Sequence, residues 1–297
     1  MTVKMPDPTH ISIIIPVYND QTGIDACLAA LAIQTYPGGR YEAIVVDNNS
    51  NPPIKLDPIF SGFARLVVCQ TPGSYVARNT GITMARGDVL AFTDADCVPD
   101  RDWISMGVAA LARKEECCII GGEVILSLSE KPTAVEYYQY LVGFMQRENI
   151  EDRGFSATAN LFATKTQILA IGLFNEKLLS GGDREWCWRA AKVGFSIQYT
   201  PEVVVCTTPR TSLVSAIRQA RRVAGGRYTL YGTRLEHIPP IGLRPHRSVV
   251  SAAKWILSHS ELTIWNRGKV FVVASLLKIV QILEMLRLLC GVRPERR

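Results

Sequence analysis

Val89-Leu90-Ala91-Phe92-Thr93-Asp94-Ala95-Asp96-Cys97 is an apolar run that stops in two carboxylates. Such a segment reads as a buried parallel strand whose C-terminal end opens at the rim of a sheet, where open α/β folds hold their ligands. Asp94 and Asp96 then stand at that rim. The pair suits a divalent cation carrying a diphosphate, because Mg²⁺ and Mn²⁺ prefer oxygen ligands and need only one or two protein carboxylates beside substrate phosphates. Taken alone, an Asp-x-Asp more often caps a turn into the next helix, since Asp is a common turn and N-cap residue. The surrounding chain decides between the two.

Working outward, residues 10–20 read as a strand ending in a turn. Residues 23–35 read as a helix with Ile24, Cys27, Leu28, Leu31 and Ala32 on one face. Residues 41–51 form a second apolar strand closing on Asp47, residues 65–70 a third, and residues 74–86 a helix that leads straight into the strand at 88–93. This alternation predicts an α/β fold, a Rossmann-like doubly wound and mainly parallel sheet. Its ligand belongs at the C-terminal strand ends, where Asp47 and the Asp94/Asp96 pair lie on separate strands. No Gly-x-Gly-x-x-Gly follows the first strand, which argues against a nucleotide-binding dehydrogenase.

At 297 residues the chain can bury a full core. Residues 1–10 lack a cationic segment followed by an apolar one, and the apolar stretch at 11–17 contains Pro16, so a cytoplasmic protein is expected. The eight cysteines form no Cys-x-x-Cys pair and sit mostly among apolar residues, as reduced buried thiols do. The net charge of +6 conceals a division: residues 1–206 hold 17 Lys/Arg and 23 Asp/Glu, whereas residues 207–297 hold 16 and 4, a net of +12. The basic third faces something anionic, and charge alone leaves nucleic acid, nucleotide phosphate and a membrane surface open.

Five ordered motifs resemble the family 2 glycosyltransferases of GT-A fold: Ile13-Ile-Ile-Pro-Val-Tyr-Asn19, Glu42-Ala-Ile-Val-Val-Asp-Asn-Asn-Ser50, Ala77-Arg-Asn-Thr-Gly81, Asp94-Ala-Asp96 and Gly181-Gly-Asp-Arg-Glu-Trp-Cys-Trp-Arg189. The resemblance covers roughly residues 10–206, and five motifs in order are far more specific than any one. It implies an inverting, metal-dependent glycosyltransferase, of hexosyltransferase type, that uses a nucleotide sugar, a UDP-sugar on this reading, and Mn²⁺ or Mg²⁺. It implies a glycan or lipid-linked acceptor in surface polysaccharide or glycoconjugate synthesis, and no nucleic-acid partner. Pro16, Tyr18, Asp47, Arg78, Asp94 and Asp96 would then bind the donor, with Asp47 on the base, Asp94 on the ribose and Asp96 on the metal. An Asx-turn is the plain alternative for Asp47, and an exposed helix arginine for Arg78. Asp183 would be the catalytic base, with helix capping as its alternative, and Gly182, Glu185 and Trp186 would lie at the acceptor. Gly181 and Gly182 would let the backbone approach a sugar. Trp186 and Trp188 are two apart and cannot line one site, and core packing is as good a reading for either. Where the family has Gly-Glu-Asp, this chain has Gly181-Gly182-Asp183, so that Glu is missing.

The motifs divide the chain into a nucleotide-sugar half at 1–125, an acceptor half at 126–207 and a basic helical region at 208–297. Residues 132–147 read as one amphipathic helix. Gln219-Ala-Arg-Arg222-Val223 partly resembles the Gln-x-x-Arg-Trp motif of processive members. Arg222 would meet the diphosphate, and the missing tryptophan argues against processive synthesis. Gly225-Gly226 reads as a flexible joint, and residues 235–247, with His237 and His246, as a loop. Residues 270–289 are apolar except for Ser275 and the polar series Lys278, Gln281, Glu284 and Arg287, too charged to span a membrane. With Lys269, Arg293, Arg296 and Arg297 as flanks, two readings stand: a helix lying at the inner face of the cell membrane, or one packing on protein. A polyprenyl-phosphate sugar transferase and a catalytically silent nucleotide-sugar-binding protein are the alternative functions.

Overall fold

The computed structural model describes residues 9–113, 117–232, 255–256, 258–259 and 262–294. Two compact units emerge, the first from residues up to 125 with 146–177 and 182–207, the second from 126–145, 178–181 and 208 onward.

In the first unit, β1 (Ile11–Val17), β2 (Tyr41–Asp47), β3 (Ala64–Val68) and β4 (Val89–Thr93) form the parallel half of an eight-stranded sheet. The helices α1 (Gln21–Ala32) and α2 (Ser74–Met84) cross between successive strands. The near-continuous apolar runs follow from burial on both faces: Ile11, Ile13, Ile14 and Ile15 have no exposed surface, and neither do Leu90, Ala91 and Phe92. Gly81 explains how α2 lies so close to β1, since a Cβ there would come within 2.6 Å of the Ile14 side chain.

Beyond β4 the sheet turns antiparallel. After β5 (Cys97–Pro99) and α3 (Trp103–Arg113) come β6 (Cys118–Leu126), β7 (Asn160–Thr164) and β8 (Ser196–Thr207), giving the order β3-β2-β1-β4-β7-β6-β8-β5. The doubly wound expectation therefore holds for the first half, while β7 runs antiparallel to β4 and β6, and β5 to β8. Asn160, fully buried, ties this half together by donating to the carbonyls of Glu123 and Val203 at 2.8 Å and accepting from the Trp103 indole at 2.9 Å.

The helix expected over 132–147 is two helices, α4 (Ala134–Val142) and α5 (Gln146–Glu151). A Thr133/Glu136 capping box starts the first, and it stops at Gly143 and Met145, both in the left-handed region at φ 57° and 50°. Then follow α6 (Lys165–Ile171) and α7 (Gly182–Lys192) in the first unit, and α8 (Leu213–Gly232) and α9 (Ile264–Leu289) in the second. The joint expected at Gly225-Gly226 is absent, because α8 runs unbroken through both. Gly226 is needed for close approach instead, since a Cβ would fall 2.4 Å from the Ser180 carbonyl oxygen.

The open question over 270–289 has a partial answer in the second unit. One side of α9 packs on α8 and α4 through Val273 and Leu277 against Ala216, Ala220 and Val135. No helix among the described residues is long and apolar enough to cross a membrane. The loop at 235–247 with His237 and His246, and the flanking Arg296 and Arg297, lie outside the described residues.

Candidate active site

Parallel pairing sets β1, β2 and β4 with their C-terminal ends at one rim, Val17 opposite Asp47 and Ile14 opposite Phe92. The loops at that rim are stitched by side chains. The Asn19 amide donates to Ser50 Oγ at 2.8 Å, and Asn51 N–H donates back to Asn19 Oδ1 at 2.7 Å. Asn48 donates to the carbonyls of Cys69 and Thr71 and accepts from Gly73 N–H at 2.7 Å, which pins the start of α2.

Asp47 is buried, and its two oxygens accept from the backbone N–H groups of Ser50 at 2.9 Å and Ile54 at 3.2 Å. It therefore builds the turn after β2, with further lone pairs left on each oxygen. Pro16 lies within β1, and Tyr18 follows it, 43% exposed at the rim.

The Asp-x-Asp segment turns into β5, not into a helix. Cys97 N–H closes the turn on the Asp94 carbonyl at 3.1 Å, Thr207 Oγ1 holds the Asp96 carbonyl at 2.8 Å, and Ala95 points inward. Asp94 is half-buried and ion-paired with Nη2 of Arg78, whereas Asp96 is exposed. Arg78 is not an exposed helix arginine: it is 4% exposed, lies against the Tyr75 ring at 5.8 Å, and its buried Nε has no hydrogen-bond partner. Among the described residues no three His, Cys, Asp or Glu side chains gather as a metal cage. Two carboxylates one residue apart, one of them exposed, fit a cation that draws its remaining ligands from diphosphate and water.

Asp183 enters from α7. The Gly182 N–H donates to the Tyr75 hydroxyl at 2.8 Å, which fixes the start of α7 against α2, and Asp183 accepts from Arg184 N–H at 2.9 Å. Burial pushes the Asp183 carboxyl up, opposed by the Arg184 backbone hydrogen bond and by the charges of Arg78 and Arg184, and reinforced by Asp94. Position at a helix start alone would favour the ionised form. Here desolvation outweighs it.

Among the acceptor candidates, Trp186 needs correction. Trp186 has no exposed surface, donates its indole N–H to the Gly172 carbonyl at 2.8 Å and packs on Phe174, so it has no face for a sugar. Gly182 makes its close approach to the Tyr75 ring, where a Cβ would fall within 2.6 Å. Glu185 is engaged by Arg189, which also clamps the carbonyls of Ile171 and Leu173. Arg222 stands half-buried on α8 in the second unit.

Two residues escaped the reading of the sequence. Tyr75 bridges Arg78 and Gly182, and its place three residues before Arg78 on one helix face was the available signal. Asn79 binds the 174–176 segment by donating to the Phe174 carbonyl and to Glu176 and accepting from Phe174 N–H, all at 2.9 Å. A polar residue inside the apolar face of α2 was its signal.

The model of the glycosyl transferase family 2 matches residues 12–159. Glycosyltransferase AglE of Haloferax volcanii is 33% identical over 262 residues, 86% of this chain and 82% of that protein. The dolichyl N-acetyl-alpha-D-glucosaminyl phosphate 3-beta-D-2,3-diacetamido-2,3-dideoxy-beta-D-glucuronosyltransferase of Methanococcus voltae is 28% identical, over 70% of each chain. Among solved structures, the mannosyltransferase PcManGT from Pyrobaculum calidifontis, in complex with GDP-Man and Mn²⁺, superposes with a TM-score of 0.59 at 20% identity, over 95% of this chain and 89% of that one. That likeness shows the GT-A fold, and with the close relative and the matching family model it follows that this chain belongs to the family 2 glycosyltransferases and is a glycosyltransferase.

Proposed function

We propose that the protein transfers a sugar, with inversion, from a nucleotide donor to a lipid-linked saccharide at a divalent-metal site. The observation that carries this is the convergence, at one rim, of the Arg78–Asp94 ion pair, the exposed Asp96 and the half-buried Asp183 whose carboxyl is pushed up by desolvation. Asp96 would hold Mn²⁺ or Mg²⁺, which supplies neutralisation of the departing diphosphate. Arg78 presents its unpartnered Nε to an anion, and Asp94 is held for the ribose. Asp47 keeps lone pairs for a ring N–H of the base, and the motif around Arg222 supports a diphosphate contact for that residue. Asp183 takes the proton of the acceptor hydroxyl as the new glycosidic bond forms and the bond to the diphosphate breaks, and its raised basicity suits it to that task.

The sequence favours a UDP-sugar, whereas the structural neighbour holds GDP-Man, so the base is a matter for experiment. The name of the Methanococcus voltae relative, a transferase to a dolichyl-phosphate-linked sugar, supports a lipid-linked acceptor. Such an acceptor places the enzyme at the cytoplasmic face of a membrane, with 208–297 as the membrane-facing part. The test is thermal stabilisation by a panel of UDP- and GDP-sugars with and without Mn²⁺: a ligand at 100 times its Kd stabilises by about 2.7 kcal/mol. Stabilisation by one nucleotide sugar that requires the metal is expected. No response to any nucleotide would overturn the reading.

A further inference from the structure

The arc of α9 turned away from α8 and α4 carries Trp265, Val272, Ile279, Leu283, Leu286 and Leu289, of which Trp265 is 80% and Leu289 66% exposed. At 3.6 residues per turn these fall within roughly 120° of the helix wheel and run about 36 Å along the axis. Ile264 and Ile282 fall within the same arc. The polar series Lys278, Gln281, Glu284 and Arg287 occupies the other half, where Glu284 is 4% exposed and neutralised by Arg221 at 3.1 Å and by Arg287. A helix bathed in water puts its polar half outward. This one turns its apolar half out.

Cations border the arc on both sides, Lys269 and Arg287 along one edge, Arg267 and Lys278 along the other. Next to the Lys278 edge, α8 and α9 enclose a cleft of about 190 Å³ lined by Arg227, Lys278 and Gln281, with Ile282 and Met285 continuing into the apolar arc. Apolar surface between cationic borders is the pattern of a helix lying in the interface of an anionic bilayer. A second copy fits worse, since it would set the same cations against their own kind within a region of net charge +12.

We propose that this arc of α9 inserts into the surface of an anionic phospholipid bilayer, with a lipid headgroup phosphate in the Arg227/Lys278/Gln281 cleft. This deepens the membrane-facing reading of 208–297, and its test is independent of catalysis. The intact chain is sedimented with vesicles of phosphatidylcholine alone and of phosphatidylcholine with phosphatidylglycerol, at low and high salt. Binding to the anionic vesicles, weakened by salt, is expected. Ile279→Glu with Leu283→Glu, at exposed positions, should lower it by at least about tenfold, and Lys278→Glu should reduce the preference for phosphatidylglycerol. Val272→Glu with Leu286→Glu is the second pair, should the first melt early. Unchanged vesicle binding by both pairs would overturn the proposal, as would a lack of vesicle binding together with a dimer that these variants dissolve. Thermal stabilisation by nucleotide sugar, measured on the same samples, reports separately on the catalytic reading.

Discussion

Arg78, buried in α2, is ion-paired with Asp94 at the end of β4 while its Nε has no partner. Buried guanidinium groups usually have every donor satisfied, so this one is incomplete without an anion. Arg78→Lys keeps the charge but loses the planar fork. It should weaken nucleoside-diphosphate binding by about 1.5–3 kcal/mol, the contribution of a hydrogen bond to a charged group. Calorimetric titration checks this, and unchanged affinity in a folded variant would reduce the pair to a fold-stabilising contact.

Asp96 is exposed; Thr207 holds its backbone carbonyl, and its carboxylate accepts a long contact from Cys97 Sγ at 3.9 Å. Asp96→Asn should therefore leave the melting temperature nearly unchanged while abolishing transfer and metal-dependent donor binding, because it removes charge from a site dominated by ionic bonds. Asp94→Asn should do less to the metal. Full turnover of the wild type in excess chelator would dismiss the metal assignment.

The parallel half of the fold was legible because burial on both faces writes itself as unbroken apolar runs, each closed by acid or Asn: β1, β2 and β4 start within one residue of where the sequence puts them, while the turn formers after β1 and β2 lie outside the strands. The antiparallel half was less so. Asn160 holds it together through contacts with Glu123, Val203 and Trp103, all distant in sequence, and no local period announces such a knot. In the site, carboxylates at strand ends could be read from position. The state of Asp183 could not, because desolvation depends on what packs around α7, and the helix-start argument points the opposite way. Trp186 shows the same limit: spacing separated it from Trp188, yet only the pocket formed by Phe174 and Gly172 decides that it faces inward.

Trp186→Ala should destabilise the protein by about 3–5 kcal/mol, as removal of a large buried aromatic does. Trp186→Phe should lower the melting temperature less and leave the acceptor KM unchanged. A KM raised severalfold in the Phe variant at constant stability would restore a sugar contact.

Gly226→Ala should destabilise the second unit by about 1–3 kcal/mol, since its Cβ would meet backbone oxygen, which cannot swing aside. Gly38→Ala, where nothing lies within 4 Å of the added carbon, is the control. A variant at 226 that gained stability, as removal of glycine from a free helix surface does, would contradict the close contact with Ser180.

Asp183 carries the last prediction, because its chemistry and its stability effect have opposite signs. Its carboxyl is raised by burial, so between the unfolded and the folded titration the native state binds the proton more tightly. Stability contributed by the protonated acid is present at low pH and is lost as pH rises through the folded value. At neutral pH the ionised, partly desolvated Asp183 thus weakens the fold. Asp183→Asn should remove that penalty and melt no lower than the wild type, and its stability should vary less with pH across the acid range. The same change should lower kcat by about 10²–10⁴-fold, the usual loss on removing a general base, with donor affinity nearly unchanged. The acid limb of the wild-type kcat profile should lie above the ordinary aspartate range and vanish in the variant. Melting curves, donor titration and the pH profile together decide the matter. A lower melting temperature with little specific loss of turnover would make Asp183 a structural cap. Full activity would favour an acceptor phosphate, which needs no base.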